Sequence, residues 1–300
     1  MQTRRARGAA AGVRLFQRAV SCSRTASGTF KDKFISMLTW LHDLPTWLGA
    51  SLIAAAFVIP TLVGSYFLQP SIARLFRGER DINTVLGFLL NAFALYFGVL
   101  LALLSIAVFE NHNKAEDAVV REAATIIKLY RDVRSYPEPM RTQLSEALHK
   151  YVDEVIGPGW AMQERGEANP KETEIMTDFH RMVSEFKPDD SGAMVRHAET
   201  LRALNEFIEA RRLRIDAGDE AIPKIMWFIV LVGAVMNVFV IWMFDLRPFT
   251  HAVIGGTLSL FVGLVIYMVA VLDAPFKGIY GLKPYAIITI HGRSGMDKPI

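Results

Sequence analysis

Four uncharged apolar runs constrain this chain more than any other feature. They span Thr46–Leu68, Val85–Phe109, Ile225–Phe244 and Ala252–Leu272. A bilayer core about 30 Å thick is crossed by about 20 residues of helix, so each run is long enough to span it. Pro60 lies inside the first run and is expected to bend it, because proline removes a backbone hydrogen bond. The strongly polar members are few, Asn91 in the second run and Asn237 in the third, and the polar groups of the fourth are only the hydroxyls of Thr257, Ser259 and Tyr267. Trp40 and Trp47 flank the first run, Trp227 and Trp242 lie near the ends of the third, and Tyr280 and Tyr285 follow the fourth. Aromatic residues at such places suit the membrane–water boundary.

Composition agrees. Apolar residues make up 52% of the 300 and charged residues 21%. That balance, gathered into long runs, excludes an ordinary cytosolic enzyme and a disordered chain. The single cysteine, Cys22, excludes an internal disulfide framework and a multi-thiolate metal site.

The loop charges give an expected orientation. The short segment 69–84 carries Arg74, Arg77 and Arg80, and 245–251 carries Arg247. The opposite side collects the basic N-terminus, Lys114, Arg121, Lys128, Arg211, Arg212, Arg214 and Lys224, and the tail residues Lys277, Lys283, Arg293 and Lys298. The balance predicts a multi-pass protein of a cell (inner) membrane with both termini cytoplasmic, against the three arginines of the first short loop. Residues 1–31 hold Arg4, Arg5, Arg7, Arg14, Arg18, Arg24 and Lys31 without an acid. Segment 1–40 is therefore expected to be a disordered basic tail, and a mitochondrial transit peptide is the alternative.

Segments 46–109 and 223–272 thus each hold two spans. Between them lies the segment 110–222, with 16 basic and 23 acidic residues, a net of −7. An acidic domain argues against nucleic-acid binding. Its apolar period is helical. One stripe holds Val119, Ala123, Ile126, Ile127, Tyr130 and Val133, and the unbroken pattern extends it from the second span. A second holds Met140, Leu144, Leu148, Tyr151, Val152 and Val155, and Gly157-Pro158-Gly159 breaks or bends it. A third helix is expected over Lys171–Phe186, and a fourth stripe runs through Met194, Ala198, Leu201, Leu204 or Asn205, and Ile208. The fold class that follows is all-α: a four-transmembrane-helix membrane protein with a cytoplasmic helical bundle inserted between the second and third spans. Residues 273–300 form a cytoplasmic tail.

Catalytic signatures are lacking. There is no glycine-rich phosphate loop, His-Glu-x-x-His, cysteine pair or Gly-x-Ser-x-Gly, and the seven histidines are scattered. The chain is expected not to be an enzyme and to hold no metal or cofactor. The spans carry no charge of the kind that marks proton relays, a pattern compatible with a pore closed by apolar side chains. Leu89, Phe93 and Phe97 recur every four residues in the second span. They are either packing residues or the stacked neck of an oligomeric pore. Gly255, Ser259 and Gly263 repeat likewise in the fourth and suit close helix packing. Arg211, Arg212 and Arg214, just before the third span, are either a positive-inside anchor or an attractor of anions or lipid headgroups.

Several residues together resemble the bestrophin-like family of bacterial membrane proteins. They are Glu122-Ala123, Leu129-Tyr130, Pro137, Arg141, Tyr151, Trp160, Met162, Arg211-Arg212-x-Arg214, Pro223, Trp227 and Asp273-x-Pro275-Phe276-x-Gly278, over roughly residues 46–285. Bestrophins are pentameric anion channels whose second membrane helices line a hydrophobic neck. The resemblance therefore implies a homo-oligomer in the lipid bilayer that conducts small anions, with Leu89, Phe93 and Phe97 at the neck. Calcium-gated members carry a run of consecutive acids. Here the longest such run in the insert is a pair, as in Asp189-Asp190, which argues against calcium gating. The alternative is a non-conducting membrane-anchored scaffold that docks a partner on its acidic helical domain.

Overall fold

A computed structural model describes residues 42, 44–68, 71, 82–218 and 221–293. The basic segment 1–31, Trp40, the arginines 74, 77 and 80 and Lys298 lie outside the described residues. Every regular element described is helical: α1 Thr46–Phe67, α2 Ile82–Val133, α3 Met140–Glu154, α4 Trp160–Arg165, α5 Pro170–Glu185, α6 Ser191–Ala217, α7 Lys224–Met243, α8 Pro248–Leu272 and α9 Tyr285–Arg293. A π-helical turn, Val155–Gly159, joins α3 to α4.

Four of these helices, α1, α2, α7 and α8, are long and apolar enough to cross a membrane. The second apolar run and the stripe that follows it form one helix of 52 residues, about 78 Å long at 1.5 Å per residue. Nothing in the sequence interrupts it before Tyr136-Pro137, and α2 is therefore common to both halves of the structure. Pro60 lies inside α1.

Two separate apolar cores result. In the membrane-spanning half, Phe97, Leu101, Leu104 and Val108 of α2 pack with Val230 and Ala234 of α7 and Val262, Ile266 and Val269 of α8. In the other half, Val119, Ile126 and Leu129 of α2 pack with Leu144, Leu148 and Tyr151 of α3, Met176, Phe179 and Val183 of α5, and Leu204 and Phe207 of α6. Phe276, Ile287 and Ile290, which follow the fourth span, complete this second core. Residues 276–290 therefore pack back onto the helical insert.

Local chemistry sets the helix ends. Asn169 caps α5 by accepting from the Lys171 N–H at 3.1 Å, with Pro170 at the first turn. Asp190 caps α6 by accepting from the Ala193 N–H at 2.7 Å. Each side chain satisfies an N–H that the helix itself leaves unbonded. Gly166 ends α4 with φ 79°, a left-handed conformation that glycine adopts without a Cβ penalty.

Of the stripe expected on α6, Leu204 is buried and Leu201 packs against the second core, but elsewhere the helix turns a neighbouring face inward. Its buried residues are Thr200, Ala203, Leu204, Phe207, Ala210 and Arg214, while Met194 is exposed and Ile208 largely so. Two helical spacings compete along this segment. The one holding Phe207 wins because that ring fills the second core, edge-on to Tyr151 at 5.1 Å.

Candidate functional site

The three residues of the expected neck do not share one open face. Phe97 is 8% exposed and packs into α7 at Gly233, where a Cβ would lie 2.4 Å from its ring. Phe93 stacks on Phe97 with ring centres 5.5 Å apart and planes 17° from parallel. Leu89 remains half exposed. The two phenylalanines thus fill space inside the protomer, as the packing alternative has it. The opposite side of α2 is uncovered. There Leu95 (65% exposed), Val99 (51%) and Leu103 (62%) form another ladder with four-residue spacing, and Phe88 stands two turns before Leu95.

Gly255, Ser259 and Gly263 lie where α8 meets α1. The Ser259 hydroxyl shares a buried 2.7 Å hydrogen bond with Thr61 Oγ1. A Cβ on Gly263 would stand 2.9 Å from the Ala54 Cα, and one on Gly255 would meet Ile241 and Thr61. Further along α1, Gly64 leaves room for Trp242, whose Nε1–H donates to the Thr61 carbonyl at 3.1 Å.

The arginine cluster divides in three. Arg212 is exposed and contacts Asp216 one turn on, at 3.4 Å. Arg211 lies against α5, where its Nη2 donates to Thr173 Oγ1 at 3.0 Å. Arg214 is buried, with 1% of its side chain exposed, and does not reach a lipid headgroup or a passing anion. Its Nε donates to Glu122 Oε2. Its Nη1 donates to Gln163 Oε1 at 2.9 Å and its Nη2 to Glu172 Oε2 at 2.8 Å. The Tyr151 hydroxyl donates to the other oxygen of Glu122, and Gln163 Nε2 donates to the Arg214 carbonyl at 3.1 Å. The guanidinium lies 5.9 Å from the Trp160 ring centre.

The electrostatics of this network are those of a dry ion pair. Burial works against the Arg214 charge, but Glu122, Tyr151 and Glu172 more than offset it and push its pKa up. Burial raises the Glu172 carboxyl above its usual range despite Arg214 and Arg211. Burial, then the Glu122 charge, pushes the Tyr151 hydroxyl well up, so it stays a donor. Gly159 makes the arrangement possible, since a Cβ there would fall 2.2 Å from Glu172 Oε1. The bend at Gly157-Pro158-Gly159 therefore has a packing reason beyond breaking a helix.

Sequence reasoning missed the acidic partners of Arg214. A signal existed for Glu122, a carboxylate set among the apolar residues Val119, Ala123 and Ile126 of one stripe. For Glu172 and Gln163, set among other polar residues, there was none.

A second polar junction ties the end of the fourth span to the start of the third. Asp273 accepts from the Ile222 backbone N–H at 2.8 Å and from Trp227 Nε1–H at 3.1 Å. Nearby, Trp160 Nε1–H donates to the Leu282 carbonyl at 3.0 Å. Among the described residues no group of three or more His, Cys, Asp or Glu side chains stands where it can hold a metal ion.

Two pairs of apolar helices joined through a polar-lined helical insert define a class of multi-helical membrane protein. The bestrophin-like domain matches residues 55–287, and the chain belongs to that family. No curated protein and no solved structure matches it.

Proposed function

We propose that this chain is one subunit of a homo-oligomeric channel for small anions, pentameric by analogy with bestrophins. It lies in a cell membrane with both termini and the helical insert on the cytoplasmic side. The observation that carries the reading is the bare face of α2. Leu95, Val99 and Leu103 stand four residues apart, free of charge, more than half exposed, and on the side of α2 opposite the buried Phe97. Copies arranged around an axis would bring these ladders together into an apolar constriction. Such a constriction closes by dewetting and needs no titratable gate. The neck is thus assigned to the second span, as the family resemblance implies, but on the face opposite Phe93 and Phe97.

Halide flux from liposomes holding the purified protein tests this, with Leu95→Ala beside the wild type and the subunit number counted by native mass spectrometry. Flux above empty liposomes, raised by the substitution, in a ring-sized oligomer supports the channel. A monomer or dimer with no flux in either variant transfers the reading to a membrane-anchored scaffold.

A further inference from the structure

Beside the buried network, a groove of about 270 Å³ opens between α5 and α6, lined by Thr173, Met176, Thr177, His180, Ile208 and Arg211. We propose that it binds a small organic carboxylate. This rests on the groove alone and holds whether or not the protein conducts.

Arg211 carries the argument. Its side chain is 14% exposed, and its one direct hydrogen bond is to Thr173 Oγ1. Arg214 has taken the nearby Glu172 oxygen at 2.8 Å and leaves Arg211 Nε 3.6 Å away, beyond hydrogen-bond reach. That Nε is buried and makes no hydrogen bond, with Glu172 as its ion-pair partner at 3.6 Å. A guanidinium has five N–H donors in a planar fork, and leaving buried donors unbonded costs about 1–3 kcal/mol each. Arg211, ion-paired to Glu172 and with one direct hydrogen bond, therefore keeps N–H donors at the edge of the groove for a further acceptor.

The rest of the groove says which acceptor. Thr173 Oγ1 accepts from Arg211 and keeps its own O–H to donate. The Thr177 hydroxyl is committed to the Thr173 carbonyl at 2.7 Å. The His180 imidazole adds a further polar group, and Met176 and Ile208 supply apolar walls. No carboxylate lines the groove. The arginine fork matches a carboxylate with two parallel hydrogen bonds. The apolar walls favour a short hydrocarbon body over a fully hydrated phosphate.

The probe is 4-fluorobenzoate, followed by ¹⁹F saturation-transfer NMR on the full chain in nanodiscs. Saturable transfer is expected, displaced by acetate and not by equal inorganic phosphate. Arg211→Met, which keeps the aliphatic stem, is expected to weaken binding about tenfold or more, and Arg212→Met to leave it unchanged. Ile208→Trp fills the groove from a largely exposed position and is expected to abolish binding while the melting temperature holds. No saturable transfer to the wild type up to about 10 mM overturns the proposal. So does full binding by Ile208→Trp, and equal displacement by phosphate overturns the ligand class.

Discussion

Arg214 and Glu172 are joined by a 2.8 Å hydrogen bond between two buried side chains, and the same guanidinium reaches Glu122, 92 residues earlier in the chain. Glu122 lies on the continuation of α2 beyond its apolar run and Arg214 in the last turn of α6, the helix that leads to α7. The bond therefore couples the two chain segments that leave and re-enter the apolar half. Gln163, Tyr151 and Glu172 bring α3, α4 and α5 to the same point.

Removing the cation leaves two buried carboxylates facing each other. Arg214→Met is expected to destabilise the fold by about 3–5 kcal/mol, the usual effect of breaking a buried pair from one side. Arg212→Met, at an exposed neighbour, is expected to stay within about 0.5 kcal/mol. Denaturant unfolding in detergent, followed by tryptophan fluorescence, measures both. Equal effects would mean that the network contributes no more than a surface pair.

Glu172 predicts a dependence on pH. Burial raises its folded-state pKa above the ordinary 4.5, so the folded form binds more protons than the unfolded form within that window. Stability then falls as pH rises, and the contribution is complete only below the unfolded value. Glu172→Gln cannot titrate. The wild type is expected to gain melting temperature relative to Glu172→Gln as pH drops from 7 toward 4.5. A difference that stays flat, or grows in the opposite direction, would show that the arginines dominate the carboxyl.

The helical architecture was legible because apolar runs of membrane length and a helical period are local signals. The long α2 followed from the absence of any breaker between Val85 and Val133. What stayed hidden depends on contacts between distant segments. Leu89, Phe93 and Phe97 share a spacing with Leu95, Val99 and Leu103, and periodicity alone does not say which face meets α7. Gly233 decides it, 136 residues beyond Phe97, by offering a ring-sized gap. On α6, Arg214 reads as one of three basic residues near the membrane. Its burial becomes visible only when Glu122 and Glu172 are brought beside it.

Close backbone contact in the apolar half gives a steric prediction. A Cβ at position 263 would meet the Ala54 Cα at 2.9 Å, and backbone cannot rotate aside. Gly263→Ala is expected to cost about 1–3 kcal/mol by forcing α8 from α1. Gly87→Ala, with nothing within 4 Å of the new carbon, is expected to be neutral or mildly stabilising. Thermal unfolding of the two variants separates the cases, and a neutral Gly263→Ala would mean that the helices can spread freely.

The two faces of α2 make opposite predictions for stability and conduction. Phe97 is enclosed by α7, so Phe97→Ala is expected to open a cavity and cost about 3–5 kcal/mol. Any change in flux should then accompany a loss of folded protein. Leu95 is 65% exposed, so Leu95→Ala is expected to leave monomer stability within about 0.5 kcal/mol while raising halide flux several-fold. Leu95→Asp should raise it further, because a charge hydrates a constriction that closes by drying. Measuring melting temperature and flux on the same preparations distinguishes the faces. If Phe97→Ala raises flux at unchanged stability while Leu95→Ala behaves as wild type, the neck lies on the packed side. The second span would then have to turn about its axis in the assembled ring.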